Sequence, residues 1–259
     1  YISRINKGLR RRKEKSRVGF FINPKTGVWV GEPKDDGSQE ERPDQISQLI
    51  VPLVEDRKNA LLIRFNDKWL SELGENLDKT LTTIQHALAR GMEAVFQLEE
   101  GEILVEPTPS RNDRRALLFY EAAEGGAGAL GQMISEKHCI SLVARKALEI
   151  MHFDSSSFMD ANKDYLKLSQ NSDVDCVAGC YRCVLSYFNQ PDHENIERRD
   201  KEMQKMLLRL AFSTSSDPKE IRKNPSQLVP KTDNNDKNSE PKQVNINNLP
   251  SPDDVAFEV

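Results

Sequence analysis

Three of the four cysteines in this chain, Cys176, Cys180 and Cys183, fall within the segment "VDCVAGCYRC" at 174–183, and the fourth, Cys139, lies far upstream. A secreted disulfide framework spreads its cysteines along the chain, whereas a tight cluster in a reducing compartment reads first as a set of metal ligands. The last pair has C-x2-C spacing, which lets two thiolates reach one ion from a single turn. Zinc prefers four tetrahedral sulfur or nitrogen ligands, so a fourth must come from elsewhere. The candidates are His152, His193 and Cys139. His152 stands where a long helical pattern ends, before a loop that can return to the cluster. His193 lies beyond the helix-breaking Pro191. Cys139 sits in an apolar helical stretch and reads as a buried thiol. The expected cofactor is one structural Zn2+ held by Cys176, Cys180 and Cys183, with His152 the favoured fourth ligand ahead of His193 and Cys139.

The C-x3-C-x2-C spacing also resembles the cluster motif of radical S-adenosylmethionine enzymes, in which three thiolates leave one iron open. That motif normally opens a large barrel, and too few ordered residues follow Cys183 to build one. It also usually has an aromatic directly before its third cysteine, where this chain reads Tyr181-Arg182-Cys183. The radical enzyme stays as a remote alternative.

Hydrophobic periodicity organises the rest. Residues 18–31, "VGFFINPKTGVWVG", predict two short strands with turn chemistry from Asn23, Pro24 and Gly27. Residues 32–48 read as a charged loop, and "ALLIRF" at 60–65 as a buried strand. Asp78 is placed to cap a helix whose apolar residues Leu81, Ile84, Leu88, Met92, Val95 and Phe96 recur at helical spacing. Strands are predicted at 102–106 and 115–120. After "EGGAG" at 124–128 a helical region runs to about 152, broken near Lys137, and a last helix spans about 193–212. From Ser213 onward, six of the 13 prolines, one aromatic and no sustained periodicity indicate a disordered tail, ending in a weak docking-peptide signal, "LPSPDDVAFEV".

These patterns predict an α+β fold: a small mixed sheet with packed helices, one zinc knuckle and a disordered C-terminal tail. The expected division is a strand-rich lead-in with one long helix over 1–110, a zinc-binding domain over 111–212 and the tail over 213–259. Because the chain starts at Tyr1 rather than Met, a longer polypeptide is expected.

Net charge is −4, so no global basic field exists, but residues 8–17, "GLRRRKEKSR", hold six cations against one anion. Arg10, Arg11, Arg12 and Lys13 are thus candidate phosphate contacts; the plainer reading of the run is a solvated loop or linker. No apolar stretch approaches the roughly 20 residues of a membrane-spanning helix, and none reads as a signal peptide. A soluble, cytoplasmic chain is expected.

No G-x-x-x-x-G-K-[ST] loop occurs, and no Ser/His/Asp arrangement declares itself. Gly125, Gly126 and Gly128 offer a phosphate cradle at a helix N-terminus, but Glu121 and Glu124 flank them and no cation is near in sequence. A tight strand-to-helix turn is the better expectation. In "SYFNQ" at 186–190, Tyr187 and Phe188 can stack on bases, with Asn189 or Gln190 reading an edge. The plainer alternative packs the aromatics between the metal site and the domain and uses Asn189 and Gln190 to cap the turn.

Three stretches in order, "LLFYEAAEGGAGAL" (117–130), "ARKALEIMHFD" (144–154) and "CVAGCYRCVLSYFNQPDHENIERRD" (176–200), resemble the zinc-binding domain at the C-terminal end of MrfA-like superfamily 2 DNA helicases. The same domain occurs in the DrmB component of the DISARM phage-defence system. The resemblance covers about 1–212 and is strongest over 115–200. Relatives often carry cysteine pairs where this chain has Asn23 and Thr26, which implies that a second metal site is lost. They also tend to have a cysteine near "MHFD", where Met151 cannot replace a thiolate, another reason to favour His152. In that family the metal is thought to be structural. The resemblance implies a helicase-associated domain that helps a DNA motor, in cis or in trans, during DNA repair or anti-phage defence, with DNA as a partner. The rival expectation is a platform that docks a helicase and never touches DNA.

Overall fold

The computed structural model describes residues 1–8, 18–31, 47–159, 166–170, 175–216 and 256–257. Arg10, Arg11, Arg12 and Lys13, the expected loop up to residue 46, and most of the tail lie outside the described residues. Two compact units divide between Lys58 and Asn59. The boundary expected at 110/111 falls in the turn of a hairpin.

The first unit, Tyr1–Lys58, holds two small antiparallel sheets. β1 (Ile2–Ile5) pairs with β5 (Leu53–Asp56), and β2 (Phe20–Ile22) is flanked by β3 (Trp29–Val30) and β4 (Gln48–Ile50). The β2–β3 turn forms where the sequence predicts it. The Asn23 side-chain oxygen accepts from the N–H groups of Lys25 and Thr26 at 2.9 and 3.2 Å, so its amide organises this turn. Gly19, at φ 91°, passes so close to the Ile50 carbonyl that a Cβ would lie 2.5 Å from it.

The second unit is built on a three-stranded antiparallel sheet in the order β6–β8–β7, with β6 at Ala60–Arg64, β7 at Ile103–Ser110 and β8 at Asp113–Glu121. The apolar run predicts a buried β6. It is instead an edge strand whose Leu61 is buried while Leu62 is 45% exposed, the alternation of a strand with one wet face. Among the described residues, sheet hydrogen bonding is antiparallel apart from a two-residue parallel pairing of β9 (Thr214–Ser215) with β10 (Ala256–Phe257). The α+β class is the one observed.

α1 (Asp67–Leu73) begins at Asn66, whose side chain accepts from Lys68 N and Trp69 N. α2 (Leu77–Phe96) is the central helix, with Leu81, Ile84, Leu88 and Met92 fully buried. Asp78 does not cap it as the sequence predicts: the helix starts earlier and Asp78 lies in its first turn, where its charge still suits the helix dipole. The predicted break near Lys137 separates α3 (Ala129–Ser135) from α4 (Cys139–Ile150). α4 crosses α2 at Gly91, where a Cβ would meet the Val143 carbonyl at 2.5 Å, so glycine sets the closeness of the two helices. The last helix is shorter than expected. α5 (Lys201–Ala211) is capped by Asp200, which accepts from Met203 N at 2.6 Å, and Tyr187–Asn195 form a separate 3-10 segment ahead of it.

The tail boundary at Ser213 also shifts. Ser213 is buried, and the Ser215 N–H donates to the Lys137 carbonyl at 2.8 Å, so the chain follows the body to at least Ser215.

Candidate metal centre

α4 delivers the first ligand. At its C-terminus, Phe153 N donates to Leu148 O at 3.1 Å and His152 N to Glu149 O at 2.9 Å, the paired bonds of a Schellman ending. The residue at the turning point takes a left-handed conformation and is usually glycine; here it is His152, at φ 67°. The Ser169 N–H donates to the His152 carbonyl at 2.8 Å and Asp154 N to Lys167 O at 2.9 Å, so the following loop returns to the helix end.

The cysteines arrive on the knuckle. Cys183 N and Leu185 N both donate to Cys180 O, closing the turn. Backbone N–H groups of Arg182 and Cys183 point at the Cys180 sulfur, and those of Cys180 and Val184 at the Cys183 sulfur. Such donors stabilise thiolate charge. Arg90 of α2 anchors the turn through a 3.2 Å bond from Nε to the Cys183 carbonyl.

The ligating atoms of His152, Cys176, Cys180 and Cys183 all lie within 4.8 Å of one another. His152 Nε2 is 3.3 Å from Cys180 Sγ, Cys180 Sγ is 3.5 Å from Cys183 Sγ, and Cys176 Sγ is 3.7 Å from Cys183 Sγ. A tetrahedron with zinc–sulfur bonds of about 2.3 Å has edges of about 3.8 Å. The set therefore fits zinc in donor type, number and spacing. Cys176 and Cys183 are buried, and His152 and Cys180 are half-buried. Burial, and next the neighbouring Cys183, push the metal-free Cys176 thiol up to about 12, so an ion must displace its proton to bind. Burial, and then the charges of Arg198 and Arg182, push the His152 pKa down, which keeps its lone pair free for a metal.

The other two candidates are engaged elsewhere. His193 Nε2 lies 3.0 Å from the Ser186 carbonyl and 2.8 Å from Asn189 Oδ1, inside a capping box that opens the 3-10 segment. Cys139 is buried with its thiol 3.6 Å from Met133 Sδ. The radical-enzyme alternative needs three thiolates and one open position, and His152 fills that position. Four protein ligands make a closed, structural zinc site that ties the end of α4 to the knuckle.

Residues 84–184 match the family model of the MrfA Zn-binding domain. The similarity to the MrfA Zn-binding domain runs from within α2 through β7, β8, α3 and α4 to the knuckle, and takes in all four ligand positions. No curated protein and no solved structure matches the chain. Among the described residues, no helix is long and apolar enough to cross a membrane.

The glycine motif after β8 is a strand-to-helix turn. The Glu121 carboxylate occupies the N-terminus of α3, accepting from Gly128 N at 3.1 Å, Leu130 N at 3.0 Å and the Asn59 amide at 3.1 Å. Burial alone would raise its pKa, but these donors hold it below the usual carboxylate range. The chain's own anion thus fills the place a phosphate would take. A Cβ on Gly126 would lie 1.5 Å from Glu121 Oε2, so glycine is required there.

In "SYFNQ", Asn189 caps as expected, with Nδ2 donating to Val184 O at 2.8 Å. Tyr187 and Phe188 do not pack the metal site as the plainer expectation has it; they are 76% and 63% exposed. Sequence reasoning misses a buried ionic group behind them. Asp192 accepts from Arg114 at 3.1 Å and pairs with His86 at 3.0 Å, and Arg114 also donates to Gln85 at 2.8 Å. The only signal is an Asp inside the 3-10 segment and an Arg at an inward position of β8, each unremarkable alone.

Proposed function

We propose that this chain is a helicase-associated zinc-binding module that supports a superfamily 2 DNA helicase, in cis or in trans, in DNA repair or anti-phage defence, and that it contacts nucleic acid. The observation that carries the proposal is the match of residues 84–184 to the MrfA Zn-binding domain, joined to a closed four-ligand set whose role is structural. A cytoplasmic setting belongs to the proposal, because thiolate ligands persist where thiols stay reduced. The proposed DNA contacts are Arg10, Arg11, Arg12 and Lys13. The exposed aromatics Tyr187 and Phe188 supply further surface on which bases can stack.

A salt titration of single-stranded DNA binding tests this. Each neutralised phosphate contributes a slope of about −0.7 in log K against log salt, so four contacts give a slope near −3. Replacing all four cations by alanine is expected to remove most of that slope with little change in sequence preference. Wild-type affinity and slope in the alanine variant would exclude the basic run as a DNA contact.

A second reading, a platform that docks the helicase without touching DNA, is favoured by the first unit. Among its described residues no apolar side chain is fully buried, and Trp29, Val54, Leu53 and Ile5 are each more than half exposed. Failure of the intact chain to bind DNA at low salt, with retained helicase binding, would select this reading.

A further inference from the structure

Arg198 is 3% exposed, and among the described residues no carboxylate lies within ion-pairing distance of it. A buried guanidinium without a counter-charge is strongly unfavourable, since desolvation removes far more than neutral hydrogen bonds return. Its donors are directed in an informative way. Nη1 donates to the Met151 carbonyl at 3.0 Å, Nε to the Val177 carbonyl at 3.2 Å, and Nη2 to the Cys176 carbonyl. Met151 directly precedes His152, so one planar fork clasps the two backbone stretches on which His152 and Cys176 are mounted. The Phe153 ring lies 5.9 Å from the guanidinium carbon. The Arg198 main chain is itself fixed, with N donating to Ala178 O at 2.8 Å and O accepting from Gln204 Nε2 at 3.1 Å.

Three thiolates and a neutral imidazole around a divalent ion leave one net negative charge, on a centre whose backbone this cation binds at Met151 and Cys176. We propose that Arg198 is the electrostatic partner and positioning residue of the zinc centre: its charge offsets that of the loaded site, and its fork holds the His152 and Cys176 segments at ligating distance. Arg198 lies beyond the residues matched to the MrfA Zn-binding domain, and it is not a ligand. Its neighbour Arg199 is exposed and pairs with Glu197 at 3.0 Å, so the two adjacent arginines have separate roles. The inference rests on the four-ligand zinc reading.

The test is zinc affinity, measured on the whole chain under reductant by competition with a chromogenic chelator. Wild type is expected to bind one ion; a wild type that binds none overturns the underlying zinc reading, which is distinct from any variant effect. Arg198→Met is expected to lower affinity about ten- to a hundredfold, the range for groups that orient metal ligands. Arg198→Lys keeps the charge without the fork and should fall between the two. Arg145→Met is the control, because it removes a different guanidinium, itself half-buried, that donates to Ala211 O at 2.9 Å and stacks on Phe212. That variant should lower the melting temperature and leave zinc affinity intact. Wild-type affinity in Arg198→Met, or an equal loss in Arg145→Met, overturns the proposal, and equal losses in Arg198→Lys and Arg198→Met overturn its electrostatic part. Should Arg198→Met fail to fold, Arg198→Lys decides: at least about a threefold loss is expected, with the cobalt-loaded protein keeping a tetrahedral thiolate spectrum, and wild-type affinity refutes the proposal.

Discussion

Replacing His152 by glycine is expected to move the metal-loaded and metal-free proteins in opposite directions. His152 holds φ 67° at the end of α4, a conformation that costs a side-chain-bearing residue about 1–2 kcal/mol. Glycine removes that strain but brings roughly 0.5–1 kcal/mol of extra unfolded-state entropy. The metal-free variant should therefore gain up to about 1 kcal/mol, or ~2–4 °C in Tm for a chain of this size. In the loaded protein the same change removes one of four ligands. Structural zinc contributes about 10–16 kcal/mol in all, so one ligand is worth on the order of 3 kcal/mol, or about a hundredfold in affinity. The net effect is a loss of about 2 kcal/mol, or a Tm lower by ~4–8 °C. Paired thermal melts under reductant, one with stoichiometric zinc and one with a chelator, read the sign directly. His152→Ala separates the terms, because it loses the ligand and keeps the strain, so it should show no gain in chelator. Equal destabilisation of His152→Gly in both conditions, or wild-type zinc affinity, would refute the assignment of His152 as a ligand that tolerates strain for the sake of its imidazole.

Cys180→Ser is expected to lower both zinc content, read by elemental analysis, and Tm, since metal binding and folding are coupled. Iron with visible absorption in anaerobically purified protein would contradict the zinc assignment. Acid stability tests the buried ionic group. Burial raises the Asp192 pKa, but the His86 hydrogen bond and the charges of Arg114 and Arg111 bring it to about 2 against an ordinary 3.8. A depressed carboxyl pKa gives stability that is fully present above 3.8 and is lost as pH falls towards 2. That stability amounts to about 2 kcal/mol. Wild type should lose it in denaturant melts across that window, while Asp192→Asn starts without it and shows a flatter profile. Truncation after Ser216 should leave Tm nearly unchanged, because the two-residue β9–β10 pairing it removes contributes little. Truncation after Phe212 should cost a measurable amount, since it removes buried Ser213 and the Ser215 bond to Lys137.

Features made by neighbours along the chain are legible in the sequence alone. The knuckle is one of them: Cys180 and Cys183 share a single turn, so their spacing dictates that both sulfurs face one point. The apolar stripe of α2, the β2–β3 turn at Asn23 and the break between α3 and α4 belong to the same class, because helical period and turn chemistry act over a few residues. Position at a helix end is also enough to favour His152, although it stands 28 residues before Cys180.

Choices among chemically equivalent side chains are made by tertiary packing. His193 is as good a ligand by residue type, but it is the return of the distant α4 terminus to the knuckle that sets His152 Nε2 3.3 Å from Cys180 Sγ. Arg198 and Arg199 are adjacent and identical, yet the turn into α5 buries one under the metal centre and leaves the other in solvent. Asp192 meeting Arg114 and His86 likewise depends on elements far apart in sequence. The physical reason is the same in each case. Local hydrogen bonding and periodicity are set by residues within one or two turns, whereas burial of a particular charge is set by which distant surfaces close over it, and sequence records the charge without recording the closure.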